Sequence, residues 1–328
     1  MEKMIARFPA QLGEALEIAQ QITLQKYTAP FRSIFISGLG GSGLAGGFVQ
    51  DFVRDHCKLP LVISKGYQAP AWANKHTLAI CASFSGNTEE TLSTFAQLQE
   101  SGAKIVCIAS GGKLIDLAKK QGYDYVQIPG NWDSARACLG YSIVGILGIL
   151  RAAKLIPGKL LTQVKTAQKL LARDQASMQK HARKIAGFLV GKTPVLYTTD
   201  RNEAVAIRWR QQINENAKML CWHHLIPEMN HNELTGWRDQ RPDVAVIWLR
   251  NHDDHARNAI RIDISKDIVE HYAQMSIEVY SKGKSDLEKA LWLVHLGDWM
   301  SLYLAELHKV DPMEGKVVEF LKGELANA

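Results

Sequence analysis

No CxxC pair occurs in the 328 residues, and the five cysteines, Cys57, Cys81, Cys107, Cys138 and Cys221, are odd in number. A disulfide framework is therefore not expected. Cys81 and Cys107 fall inside strand-like apolar runs, where a thiol serves as a small hydrophobe. No block of consecutive Lys or Arg is long enough to follow a nucleic-acid backbone, and a net charge of +6 is mild. Such a surface suits a protein whose ligand is a small anion. No uninterrupted apolar run approaches the length of about 18 residues that a membrane crossing needs, so none is expected. The first 20 residues are amphipathic, carry Glu2, Glu14 and Glu17, and lack the apolar core of a secretion signal. Together these absences lead to the expectation of a cytoplasmic protein.

What is present is an ordinary globular composition, 46% hydrophobic and 22% charged, in a chain long enough for two domains or one large one. Residues 7–26 read as an opening helix with Leu12, Ala15, Leu16, Ala19 and Ile22 on one face. Short apolar runs at 33–37, 61–64, 77–82, 104–109 and 125–128 then alternate with helix-period segments. Continuous apolar strands separated by helices indicate a parallel sheet covered on both faces, an α/β fold. Residues 140–155 read as a buried helix, and 160–189 as a long charged helix joining two lobes. A second alternation follows, with strands near 194–198, 243–249 and 276–280 and helices near 202–217, 255–273 and 286–307. The expected organisation is an N-terminal domain over 1–155, a linking helix over 156–190 and a C-terminal domain over 191–328.

The organising stretch is Ser83-Phe-Ser-Gly-Asn-Thr-Glu-Glu-Thr91, where a buried strand turns into a helix. Unpaired N–H groups and the helix dipole favour negative charge at such a turn, and Ser83, Ser85 and Thr88 add neutral donors. The plainer reading is that Thr88 only caps the helix. Gly38-Leu-Gly-Gly-Ser-Gly43 satisfies the dinucleotide fingerprint, but the next strand ends Ser64-Lys65-Gly66 without the acidic residue a ribose needs. The glycines, with Gly41 and Ser42, then serve close approach to a smaller ligand at adjacent strand ends. In the second half, Arg250-Asn-His-Asp-Asp254 follows the corresponding strand, and its two carboxylates would repel an anion.

Asn214-Glu-Asn216 presents either an ordinary helix end or an oriented general base, Glu215. Pro227-Glu-Met-Asn-His-Asn-Glu233 carries a loop histidine, His231, suited to proton transfer near neutrality. Cys221, His223, His224 and His231 fit no common zinc spacing, so no metal is assigned. Arg136 stands at the start of a buried helix against the dipole, and so either pairs with a carboxylate or awaits an anion.

With Gly40-Gly-Ser-Gly43, the serine turn, Arg136-Ala-Cys-Leu-Gly-Tyr141, Asn214-Glu-Asn-Ala-Lys218, Pro227–Glu233, Val310-Asp-Pro and Phe320-Leu-Lys322 in this order, the chain resembles the bifunctional phosphoglucose/phosphomannose isomerases of the sugar-isomerase (SIS) superfamily. The resemblance runs from about residue 33 to the end. It implies two SIS subdomains, each a flavodoxin-like three-layer sandwich with a parallel five-stranded sheet. It implies a homodimer with active sites shared between subunits, and metal-independent exchange of glucose or mannose 6-phosphate with fructose 6-phosphate, without a cofactor. Carried over by motif, Gly41, Ser42, Ser83, Ser85 and Thr88 would bind phosphate. Glu215 would be the base, Arg136 would stabilise an enediolate, and His231 with Lys322 would assist ring opening, Lys309 and Lys316 competing for the last role. Phe84 stands where Tyr is common, Ser134-Ala135 where Pro is common, and Met313 where Thr is frequent. The rival reading is a non-catalytic sugar-phosphate regulator on the same fold.

Overall fold

The computed structural model describes residues 1–327. The chain folds into two compact units, one of Ala6–Arg173 with Gly283–Trp292, the other of Met1–Ile5, Asp174–Lys282 and Leu293–Ala328. In chain order the elements begin with α1 (Glu2–Ala6), α2 (Phe8–Gln21), β1 (Ser33–Ser37), α3 (Gly40–Val53), β2 (Leu61–Ser64), β3 (Thr77–Ala82) and α4 (Glu89–Glu100). There follow β4 (Lys104–Ala109), α5 (Gly112–Gln121), β5 (Asp124–Gln127), α6 (Leu139–Ala152) and the long α7 (Lys159–Leu189). The remainder comprises β6 (Thr193–Thr199), α8 (Glu203–Ala217), β7 (Trp222–Ile226), β8 (Arg241–Arg250), α9 (Ala256–Glu270), β9 (Ala273–Tyr280), α10 (Asp286–His308) and α11 (Lys316–Asn327). The unit boundary falls inside α7 and again inside α10, so neither helix belongs to one unit alone.

The first unit carries a five-stranded parallel sheet in the order β2-β1-β3-β4-β5. Side-chain alternation along each strand builds the three layers. Phe35, Ala79, Cys81, Ile105 and Cys107 point to one face and meet Phe95, Leu98, Leu114 and Ile115 of α4 and α5. Ile108 points to the other face, against Gly145 of α6, and Ile36 against Gly46 of α3. Cys81 and Cys107 are register partners yet remain free thiols, and burial pushes the Cys107 thiol up to about 12. They are hydrophobic filling, as their apolar sequence context implied.

α6 bears on the expectation about membranes. The window Ala135–Ala152 has a mean hydropathy of 1.4, enough by length and composition for a crossing despite two arginines, but 78% of it is buried inside the fold. Burial against α2 is made possible by Gly148, where a Cβ would lie 2.7 Å from Ile22 Cδ1 and 2.9 Å from Ala19 Cβ. Its hydropathy is spent on the core of this unit.

The second unit has four described strands, all parallel, in the order β7-β6-β8-β9. This repeats the first four positions of the other sheet, and the fifth strand expected for this half is absent among the described residues. Strand β7 was not read from the sequence: Trp222-His-His-Leu-Ile is a half-exposed edge strand whose histidines break the apolar run. Tyr197, Val195, Ile226, Val246, Trp248 and Ile262 form the core beneath it.

Candidate active site

In the first sheet the strand order reverses between β1 and β3, and the crevice beyond the carboxyl ends of those two strands is where open α/β sheets hold ligands. Both turns singled out in the sequence arise at this point. From β1 the chain turns through Gly38 into α3 at Gly40. A Cβ on Gly43 would stand 2.1 Å from the Gly38 carbonyl oxygen, so only glycine lets the first turn of α3 press onto the strand end. Ser42 is buried there.

From β3 the Ser83 N–H donates to Ile108 O (2.9 Å), prolonging the ladder by one residue. The hydroxyls of Ser83 and Thr88 lie 2.8 Å apart, and the Gly86 N–H donates to Ser83 Oγ (3.1 Å). The Asn87 N–H donates to Ser85 Oγ (3.2 Å), while Asn87 Oδ1 accepts from the Lys113 N–H (3.0 Å) and ties the turn to α5. Thr88 occupies the N-cap position of α4, but its side chain makes no bond to the helix it precedes. The simple capping reading therefore fails: the hydroxyl is spent on Ser83, and the first amides of α4 are left for another acceptor. Ser83 is buried and Ser85 exposed, a floor and a rim. Glu89 and Glu90 sit in the same first turn, where they complement the dipole and add negative charge near the crevice.

A counter-charge comes from a residue the sequence reading used only to argue against a ribose. Lys65, at the end of β2, lays its Cγ 3.6 Å from where a Gly43 Cβ would be, beside the first turn of α3. Strand adjacency alone reveals it, since 22 residues separate the two in sequence.

Gly86 fixes the turn. It has φ of +71°, and a Cβ there would lie 1.8 Å from the Gly111 carbonyl oxygen. G86A is expected to cost about 1–2 kcal/mol for the left-handed backbone and a further ~1–3 kcal/mol for the overlap. G102A shares the positive φ of +72° but meets nothing within 4 Å, so it should cost only the backbone share. Urea unfolding of the two variants side by side measures the difference.

Arg136 lies half-buried in a single 3-10 turn, Ala135–Cys138, that packs against α3 and runs into α6. The turn is held from behind by Gln11, fully buried on α2: its Nε2 donates to Ala137 O (2.8 Å) and its Oε1 accepts from the Gly140 N–H (2.8 Å). Arg136 already makes an interaction within the fold, so it is not an isolated charge.

The remaining predicted residues belong to the second unit. Glu215 lies in the last turn of α8 with its side chain exposed, whereas the argument from chemistry asked for a partly buried base. The two flanking amides hold the helix end: Asn214 Nδ2 donates to the backbone Met219 O (2.7 Å) and Asn216 Nδ2 to the Ser301 hydroxyl of α10 (2.9 Å). Lys218 Nζ donates to Glu215 O (2.5 Å) and Glu314 O (2.8 Å), bringing the end of α8 beside the turn that precedes α11. α8 is further clamped to α10 by a buried two-point pair, Arg208 Nε and Nη2 to the Asp298 carboxylate, both 2.9 Å.

His231 is exposed at the end of the 3-10 turn Glu228–His231. Buried Met229 anchors that turn, and Asn230 Nδ2 donates to Ser265 Oγ (2.7 Å). Downstream, Glu233 accepts from the Tyr197 hydroxyl (2.5 Å), which itself accepts from Trp237 Nε1 (3.0 Å); burial and this carboxylate hold the phenol protonated. Lys322 projects from exposed α11. Cys221, His223, His224 and His231 form no metal cluster, and none occurs among the described residues. His223 instead faces Arg210 (3.3 Å) and His224 Nδ1 accepts from the Leu225 N–H (2.7 Å).

The second sheet has its own reversal between β6 and β8, and there a carboxylate fills the place of a ligand. Asp254 accepts from the Asn251 N–H (3.0 Å) and the Thr199 hydroxyl (3.4 Å), and burial raises its pKa. The amide and hydroxyl that would serve an anion are occupied by the chain itself.

A family model described as the bacterial phospho-glucose isomerase C-terminal SIS domain matches residues 178–325. A bifunctional phosphoglucose/phosphomannose isomerase of Caldicellulosiruptor bescii is 35% identical over 99% of this chain and 99% of its own. One from Aquifex aeolicus is 35% identical over 92% of this chain and 93% of its own. Among solved structures, the C-terminal domain of glucosamine-fructose-6-phosphate aminotransferase from Francisella tularensis superposes with a TM-score of 0.76 over 95% of this chain and 97% of that one, at 13% identity. That likeness speaks to the fold alone.

Proposed function

Because this chain belongs to the bifunctional phosphoglucose/phosphomannose isomerase family, and is thus an aldose–ketose isomerase, we propose that it interconverts glucose 6-phosphate and mannose 6-phosphate with fructose 6-phosphate through a cis-enediolate. The observation that carries the phosphate half of this reading is the serine turn. Its hydroxyls are tied to one another and its helix amides are left without a side-chain cap, at the crevice where the strand order reverses. Ser83, Ser85 and Thr88 with Gly41 and Ser42 of the glycine turn grip the phosphoryl group, fixing the sugar in register at a point remote from its reacting carbons.

The reaction then needs few groups. Glu215 takes the proton from C2 of the open-chain aldose and returns it to C1, the same carboxylate serving both substrates from a common enediolate. The Arg136 guanidinium stabilises the charge that develops on the enediolate oxygens. His231 and Lys322 move protons to and from the ring oxygen and the C1 hydroxyl during opening. The exposed Glu215 supports a homodimer in which a second subunit completes the pocket and supplies the burial a base requires. So does α11, whose Val317 and Phe320 stand 81% and 69% exposed. The five free thiols suit a cytoplasmic enzyme of carbohydrate metabolism.

A coupled assay with glucose 6-phosphate and mannose 6-phosphate in parallel, with and without EDTA, tests the reading. Both should yield fructose 6-phosphate at rates unchanged by the chelator. Tight binding of either sugar without turnover would favour a regulator, and loss of activity in EDTA would defeat the metal-free mechanism.

A further inference from the structure

The serine and glycine turns offer a phosphoryl group only neutral donors, while Glu89 and Glu90 stand in the same first turn of α4. A phosphate monoester takes its second proton near pH 6, so a hexose 6-phosphate is close to a dianion at neutrality. Holding a dianion beside two carboxylates calls for a cation.

The segment that follows β2 is placed to supply one. α4 packs on the sheet face that Phe35 and Ala79 occupy, and α3 on the face that Ile36 occupies. Gly66 O accepts from Thr94 Oγ1 (3.3 Å), and Tyr67 O accepts from Ser93 Oγ (3.1 Å) and Gln97 Nε2 (2.7 Å). The Ala69 N–H donates to Gln97 Oε1 (3.0 Å). Residues 65–69 thus leave the carboxyl end of β2 beside α3 and are fastened at once to α4. They round the end of the sheet between the two helices whose first turns frame the crevice. Lys65 is the charged residue of this segment, Lys-Gly-Tyr-Gln-Ala. Its stem lies against the first turn of α3, its side chain is exposed, and it makes no hydrogen bond or ion pair among the described residues. Lys113 at the start of α5 is exposed too, but α5 follows β4, on the far side of the serine turn from the glycine turn.

We infer that Lys65 is the phosphate cation of this site and makes it select doubly charged phosphoryl groups. The inference rests on the isomerase reading for the identity of the ligand. Lys65 is a binding and specificity group, remote from the reacting carbons. Its attraction scales with the charge on the ligand. Protonating the phosphoryl group halves that attraction, and so takes the square root of the affinity ratio between wild type and a variant lacking the charge. The charges around it in the first turns of α4 and α5 and in the turn against α3 are Glu89, Glu90, Lys113 and Arg136, which cancel in that ratio. Tyr67 on the same segment has its phenol pushed further up by desolvation and by Glu90 and Glu89. His56, after α3, and His76, before β3, belong to the opposite end of the sheet.

Calorimetry with sorbitol 6-phosphate, which has no carbonyl to isomerise, reads binding without turnover. At pH 8, K65M should bind it about 10–100-fold more weakly than wild type, the range of a hydrogen bond to a charged group. At pH 5 the ratio should shrink to about 3–10-fold. K65R should stay within about threefold of wild type, because it keeps the charge. K65M should raise the KM for glucose 6-phosphate with kcat held within about threefold, as loss of uniform binding does. An unchanged urea midpoint in K65M shows that the exposed side chain carries no fold. Affinity unmoved in K65M, a ratio equal at both pH values, no rescue by K65R, or the same loss in K113M would each overturn the inference. If S85A weakens binding and K65M does not, the phosphate site stands and only the role of Lys65 falls. A wild-type chain that binds no sorbitol 6-phosphate overturns both.

Discussion

E215Q should lower turnover on glucose 6-phosphate by about 10²–10⁴-fold, the range a positioned general base supplies, while leaving affinity for fructose 6-phosphate nearly intact. The substitution keeps the size and hydrogen-bonding shape of the side chain and removes only its capacity to accept the proton. It acts at the end of α8, which Asn214 and Asn216 hold through their bonds to Met219 O and Ser301 Oγ. The fold should therefore be unaffected. Turnover measured with the coupled assay and affinity by calorimetry separate the two terms. A variant within tenfold of the wild-type rate would remove Glu215 from the chemistry, and an equal loss of affinity would make it a binding group. If one carboxylate serves both aldoses, the loss with mannose 6-phosphate should match that with glucose 6-phosphate.

D298A should cost about 3–5 kcal/mol, because it removes the two-point carboxylate partner of the buried Arg208 guanidinium. Arg208 and Asp298 are 2% and 4% exposed, so neither solvent nor salt can replace the lost partner. R208M/D298L, which removes both charges and fills the space, should recover most of that loss, since a buried pair contributes little beyond what apolar packing would supply. Urea unfolding followed by tryptophan fluorescence reports it directly, because Trp209 and Trp299 are fully buried beside the pair in sequence. A single variant as stable as the parent would show that the clamp between α8 and α10 is incidental. D298A should also slow the reaction more than its stability loss explains, since the same clamp sets where the last turn of α8 lies.

The strands of the first half were legible because they are buried on both faces. Runs such as Thr77–Ala82 and Lys104–Ala109 have no polar alternation to confuse them, and their observed limits are the ones read from sequence. β7 was not, because an edge strand pairs on one side only and tolerates the consecutive histidines His223 and His224. α11 was matched as a motif around Lys322 but not read as a helix; its exposed valines, Phe320 and Leu321 gave no buried face to recognise. α7 was legible as one long helix, yet the unit boundary inside it was not, because helical periodicity continues unbroken across Arg173 and Asp174.

For the candidate site, residue types and spacing were enough to single out the glycine turn, the serine turn, Arg136, Glu215 and His231, because a strand that ends in small and hydroxyl residues before a helix is a local pattern. Whether Thr88 caps its helix or bonds Ser83 is decided by a side-chain torsion, which no spacing records. The nearness of Lys65 to Gly43, the grip of Gln11 on the turn of Arg136, and the filling of the second crevice by Asp254 all join residues distant in the chain. The sequence by itself determined the parallel α/β architecture and the chemical character of each turn, since hydrophobic period and backbone-forming residues act over a few neighbours. Only the tertiary structure decided which donors remain unspent, which charges stand beside them and how exposed Glu215 is, because those depend on strand order and on contacts that close over tens of residues.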